Sequence, residues 1–157
     1  MFLEPIKVHA DKGIKAGAFA SGRIMARILI IDDEDDMRMT LRAVLGRNGH
    51  TIAEARNGRE ALRLFQRTEF DLLITDILMP EMEGLELLME VRKLRRPAKA
   101  IAISGGGRVS AHDCLRLARH MGAATVLAKP FTGEMLLGAV DGLLEDCGAG
   151  DERSAPA

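Results

Sequence analysis

Leu72-Leu73-Ile74-Thr75-Asp76-Ile77-Leu78-Met79-Pro80 is the stretch on which the reading of this 157-residue chain turns. An apolar run of strand length carries one carboxylate, Asp76, toward a stop at Met79-Pro80. Strands buried on both faces read as continuous Val/Ile/Leu runs, and they occur in parallel sheets covered by helices. Ligands bind such sheets beyond the carboxyl ends of the strands, where Asp76 falls. Alone, that carboxylate reads as well as a helix cap or a turn residue. A second strand ending in acids tips the balance.

That strand is Arg27-Ile28-Leu29-Ile30-Ile31, followed at once by Asp32-Asp33-Glu34-Asp35-Asp36. A run of like charges is ordinarily a solvated face or a disordered segment. Here it lies between a buried-strand pattern and an amphipathic helix. Glu34, Asp35 and Asp36 suit the first turn of that helix, whose dipole favours negative charge. Asp32 and Asp33 are left at the strand end, beside the place where Asp76 emerges. Three converging carboxylates call for a cation, and an all-oxygen set favours a hard one, Mg²⁺ before Ca²⁺.

The remainder of the chain places this site in a single domain. A hydrophobic content of 47% and a charged content of 29% fit a soluble globular protein. A net charge of −1 argues against general affinity for nucleic acid or anionic membrane. No apolar run approaches the roughly 20 residues needed to span a bilayer. Cys114 and Cys147 have no metal-ligand spacing and read as small core or semi-buried residues in a reducing cytoplasm. Residues 1–24 show no periodicity and no signal-peptide core, so they are expected to be a disordered extension or a mis-assigned start before Met25. Residues 25–147 form the expected domain, and 148–157 a flexible tail.

Within the domain, strand and helix patterns alternate. Helix one presents Met37, Leu41, Val44 and Leu45 and ends near Gly46 to Gly49. A weaker strand over 50–55 reads as an edge, and Asn57-Gly58 as a turn. Helix two follows through Ala61, Leu64 and Phe65, and the strand bearing Asp76 is predicted over 70–75. Helix three, with Leu87, Leu88, Val91 and Leu94, ends in a basic cluster that needs no function beyond the helix dipole. Strand four over 99–104 closes on Gly105-Gly106-Gly107, a mobile loop rather than a phosphate cradle. Helix four groups Ala111, Cys114, Leu115, Ala118 and Met121, with His112 and His120 on the surface. Strand five over 125–128 delivers Lys129-Pro130-Phe131, and Thr132 caps a last helix through Leu136, Val140, Leu143, Leu144 and Cys147. Five strands alternating with five helices predict an α/β, doubly wound parallel sheet. Asp32/Asp33, Asp76, Ser104 and Lys129 then stand at the carboxyl ends of strands one, three, four and five.

These pieces resemble the receiver domain of two-component response regulators. The matching motifs are Ile28-Leu29-Ile30-Ile31-Asp32-Asp33-Glu34, the stretch 72–80, Ala102-Ile103-Ser104-Gly105 and Ala128-Lys129-Pro130-Phe131. The likeness runs from about Arg27 to Cys147, in order. It implies the flavodoxin-like strand order 2-1-3-4-5 and transfer of a phosphoryl group to Asp76 from a sensor histidine kinase. It further implies that Asp33, Asp76 and the main-chain carbonyl of Leu78 bind Mg²⁺ directly. Asp32 acts mainly through a coordinated water, Ser104 bonds a phosphoryl oxygen, and Lys129 pairs with the phosphoryl group. A cis Lys129-Pro130 bond comes with the resemblance.

Chemistry asks for these residues independently, because a carboxylate attacking an anionic phosphorus faces repulsion that a metal and a lysine reduce. Val126 departs from the family, which usually has an aromatic residue there. The switching element is therefore expected in the Gly105–Gly107 loop, and Leu78 and Gly106 leave the phosphoryl lifetime open. An aspartyl-phosphate phosphatase would want a second Asp where Leu78 stands, and a phosphorylation-independent pseudo-receiver would not need every acceptor position filled. With little chain after Cys147, signalling is expected to pass to a partner over helix four, strand five and helix five.

Overall fold

Every side chain of β3 (Leu72–Asp76) is buried, and so is every one of β1 (Arg27–Ile31) except Arg27. That is what unbroken aliphatic runs dictate for central strands covered on both sides. The structure, a computed structural model, describes residues 24–77, 84–94, 98–105, 110–120 and 122–148. Among these, the elements after β1 are α1 (Asp35–Arg47), β2 (Thr51–Ala55), α2 (Gly58–Phe65), β3, α3 (Gly84–Arg92), β4 (Lys99–Ser104), α4 (Ala111–His120), β5 (Thr125–Ala128) and α5 (Gly133–Gly148). All pairings are parallel and the order is β2-β1-β3-β4-β5, as expected for the flavodoxin-like sheet. No helix among the described residues is long and apolar enough to cross a membrane.

Period-2 alternation divides the core in two. On one face Leu29, Ile31, Ala53, Ala55, Leu73, Ala100 and Ala102 pack with Ala61 and Leu64 of α2, Leu87, Leu88 and Val91 of α3, and Ala118 of α4. On the other, Ile28, Ile30, Ile52, Leu72, Ile74, Ile101, Ile103 and Leu127 meet Leu41 and Leu45 of α1 and Leu136, Val140, Leu143 and Leu144 of α5. Alanines on β2 and β4 let three helices settle closely on the first face. Two helices leave more space on the second, which larger aliphatic side chains fill.

Helix ends follow their local chemistry. α1 stops at Asn48, with Gly49 at φ +90°, a conformation that favours glycine. His50 N–H then donates to Leu45 O at 3.3 Å and Gly49 N–H to Gly46 O at 3.0 Å, the Schellman pair. Thr132 caps α5 as expected, its hydroxyl accepting from Met135 N–H at 3.2 Å.

Three boundaries differ from the sequence reading. Asn57-Gly58 is not a free-standing turn, because Asn57 is the N-cap of α2 and its side chain accepts from Glu60 N–H at 2.9 Å. β3 runs over Leu72–Asp76 rather than 70–75. Phe70 leaves the strand to meet Phe65 edge-on, with ring centroids 5.3 Å apart, and Asp71 accepts from Arg27 N–H at 2.8 Å. His50 precedes β2, where its Nδ1 accepts the Ala26 N–H at 3.3 Å. The edge position of β2 agrees with its weaker pattern.

Candidate functional site

Asp32, Asp76 and Lys129 each stand two residues beyond a side chain of the α1/α5 face, namely Ile30, Ile74 and Leu127. The same alternation that buries those three residues sends the polar ones the same way. Carboxylate oxygens of Asp32, Asp33 and Asp76 all lie within 4.8 Å of one another. Asp32 and Asp76 are buried, whereas Asp33 is exposed. Lys129 Nζ donates to Asp76 Oδ2 at 3.3 Å. The Lys129–Pro130 bond is cis, as the resemblance implied.

Ser104 is buried at the end of β4, one residue past Ile103, the partner of Asp76 across the sheet. It follows Ala102 of the opposite face, so parity does not bring it in with the carboxylates. Its link to the site is through the main chain: Lys129 N–H donates to Ser104 O at 2.8 Å. Leu78, whose carbonyl was expected among the metal ligands, and Gly106–Gly107 of the glycine loop lie outside the described residues. Val126 is half-buried, opposite Ala102, against the α2–α4 core. His112 and His120 are exposed, as expected.

The electrostatics are those of a crowded acid pocket. Burial pushes the Asp32 carboxyl up from 3.8 to about 6. The bond from Glu34 N–H opposes this, and the nearby Asp76 charge adds to it. Burial acts to lower the pKa of Lys129, but the carboxylates of Asp76 and Asp32 outweigh it and hold the ammonium above its ordinary value.

One atom tests whether a cation fits. Asp32 Oδ2 is fully buried with no hydrogen-bond partner among the described residues, a costly state for a carboxylate oxygen. Its Oδ1 already accepts Glu34 N–H at 2.9 Å. An orphaned oxygen beside two further carboxylates is a donor set suited to a hard divalent ion. Mg²⁺ therefore fits these residues.

Two residues that shape the pocket were not singled out by the sequence reading. A Cβ on Gly84 would collide with the main-chain carbonyl of Asp76, so only glycine lets α3 start against the end of β3. Arg38 is buried on the same stripe of α1 as Leu41 and Leu45, at helical spacing that the sequence does display.

Comparison with known proteins agrees with this geometry. The family described as response regulator receiver domain matches residues 28–141. The chain is 42% identical over 106 residues to a response regulator receiver protein of Anaeromyxobacter sp. (strain Fw109-5), covering 68% of this chain but 43% of that protein. It is 36% identical over 117 residues to chemotaxis protein CheY of Bacillus subtilis (strain 168), covering 73% of this chain and 94% of that one. Among solved structures, a response regulator receiver domain protein from Clostridium thermocellum superimposes with a TM-score of 0.73 at 30% identity, over 80% of this chain and 98% of its own.

Proposed function

The chain belongs to the response regulator receiver domain family, and from that membership we propose that Asp76 is its phosphoacceptor. The observation that carries this reading is the Lys129 ammonium 3.3 Å from Asp76 Oδ2, beside the orphaned oxygen of Asp32. A carboxylate so placed can attack phosphorus while a cation is already at hand for the incoming charge. In the transfer, a carboxylate oxygen of Asp76 forms the new bond to phosphorus. The bond from phosphorus to the donor breaks, and its electron pair leaves with the imidazole of a phosphohistidine or the carboxylate of an acyl phosphate. Lys129 pairs with the arriving phosphoryl oxygens, and the Ser104 hydroxyl, which strand alternation turns away from the carboxylates, would have to swing round the end of β4 to donate to one of them.

Asp33 and Asp76 would hold Mg²⁺ directly, with the Leu78 carbonyl, and Asp32 through a coordinated water. Bound there, the ion supplies positive charge that offsets repulsion between the carboxylate and the phosphoryl group. The donor is a sensor histidine kinase or a phosphotransfer protein. Output passes to a partner protein over α4, β5 and α5, where Leu117 and Met135 are exposed apolar side chains. This is a signalling role in the cytoplasm, carried by residues 25–147, with no substrate turnover beyond the protein's own phosphorylation and dephosphorylation.

The test is incubation with Mg²⁺ and a small acyl phosphate, followed by intact mass. Wild type should gain one phosphoryl group, and Asp76→Asn, nearly isosteric, should fold and gain none. Equal labelling of the Asn variant would show that another residue is the acceptor.

A further inference from the structure

Arg38 lies in the first turn of α1 yet is only 7% exposed, a burial that arginine rarely has unless paired. Its NH1 donates to the main-chain carbonyl of Asp32 at 2.6 Å. NH2 pairs with the Asp35 carboxylate, and Nε faces Glu54 Oε1 at 3.9 Å. Glu54 is also held by Arg42, at 3.1 Å.

Asp32 is thus held at all its polar atoms but one. Its N–H donates to Ala55 O at 3.2 Å, its carbonyl takes Arg38, and its Oδ1 takes Glu34 N–H. Only Oδ2 is left for a ligand. The carbonyl that Arg38 grips belongs to the peptide joining Asp32 to Asp33. That peptide is planar, so fixing its oxygen fixes the plane from which Asp33 departs. We infer that Arg38 is a positioning residue for the divalent cation, locking the Asp32–Asp33 peptide so that both carboxylates address one ion. The inference rests on the reading of the acid cluster as a Mg²⁺ site.

Charge and position predict opposite signs, which makes the inference testable. By Coulomb's law alone, deleting a cation beside an acid pocket tightens Mg²⁺ binding. Loss of a residue that orients ligands weakens binding, typically by about 10–100-fold. Arg38→Met keeps the hydrocarbon stem and leaves Glu54 paired with Arg42, so no buried charge is stranded. Arg42→Gln is the control, because it removes the other cation on Glu54 without touching the Asp32 carbonyl.

Calorimetric titration of the full chain with Mg²⁺ reads affinity and stoichiometry separately. Arg38→Met is expected to bind roughly 10–100-fold more weakly at unchanged stoichiometry. Arg42→Gln is expected to match wild type, and Arg38→Lys, with a cation but no planar fork, to fall between. If Arg38→Met does not fold, Arg38→Lys carries the test, and affinity equal to wild type then counts against the inference. Equal or tighter binding by Arg38→Met overturns it, as does a fall in stoichiometry at constant affinity, the sign of a merely structural role. Wild type that binds no Mg²⁺, or Asp33→Ala that binds as well, overturns the reading of the site and the inference together.

Discussion

Asp32 is a carboxyl that its surroundings make harder to ionise. Its folded pKa is about 6 against 3.8 for an ordinary aspartate, because burial outweighs the Glu34 N–H bond. The folded chain therefore holds this proton more tightly than the unfolded chain. The resulting stabilisation is fully present below about pH 3.8, fades as pH rises, and is lost above about pH 6. Across that window it amounts to roughly 3 kcal/mol. Melts in EDTA should show wild type losing stability relative to Asp32→Asn as pH rises through this window, and parallel profiles would contradict the account. Gly84 supplies a second test at this scale. An alanine Cβ there meets main-chain atoms of Asp76 and Ile77, which no side-chain rotation can clear, while Gly84 N–H also donates to Ile77 O at 2.9 Å. Gly84→Ala should cost on the order of 1–3 kcal/mol in urea unfolding, and a cost near zero would mean that the turn into α3 yields easily.

Among the elements, α2 depends most visibly on its first residues. Asn57 accepts Glu60 N–H, and Glu60 Oε2 reaches back to Arg56 N–H at 2.9 Å, so two main-chain donors are satisfied reciprocally. Asn57→Ala should lower stability by about 1 kcal/mol, with hydrogen exchange accelerated first at the start of α2; uniform acceleration along the chain would instead indicate global loosening. The strands and helices themselves were legible because apolar periodicity changes at each boundary, and all four charged or hydroxyl-bearing strand ends were legible for the same reason. What stayed hidden was local competition. Asn57-Gly58 spells a turn as readily as a cap until a helix is seen to follow it. Phe70, two residues before the apolar run that begins at Leu72, reads as the start of the strand, but in space it belongs with Phe65. Arg38 shares a helical stripe with Leu41 and Leu45, yet a charged side chain reads as solvent-facing unless its partners, the Asp32 carbonyl and Glu54, are known.

Across the whole molecule, a ligand that binds only the folded state raises stability by mass action, about 1.4 kcal/mol at ten times its dissociation constant. Mg²⁺ should therefore raise the melting temperature of wild type and not of Asp33→Ala; an equal rise in both would place the ion elsewhere. The strand order has a further consequence, for the way the protein is made. Read from the amino terminus, β1 and β2 pair first, β3 joins the other edge of β1, and β4 and β5 each extend the edge just laid down. A chain leaving the ribosome can build this sheet outward, without inserting a late strand between two already joined. The acids come early in that sequence and Lys129 comes late, 53 residues after Asp76. At about 5–20 residues per second, the nascent protein spends roughly 3–10 s with its carboxylates synthesised and the lysine that faces them still to come. In that interval the gathering of Asp32, Asp33 and Asp76 is opposed by their own charge, and a divalent cation held among them would offset the repulsion before the lysine arrives.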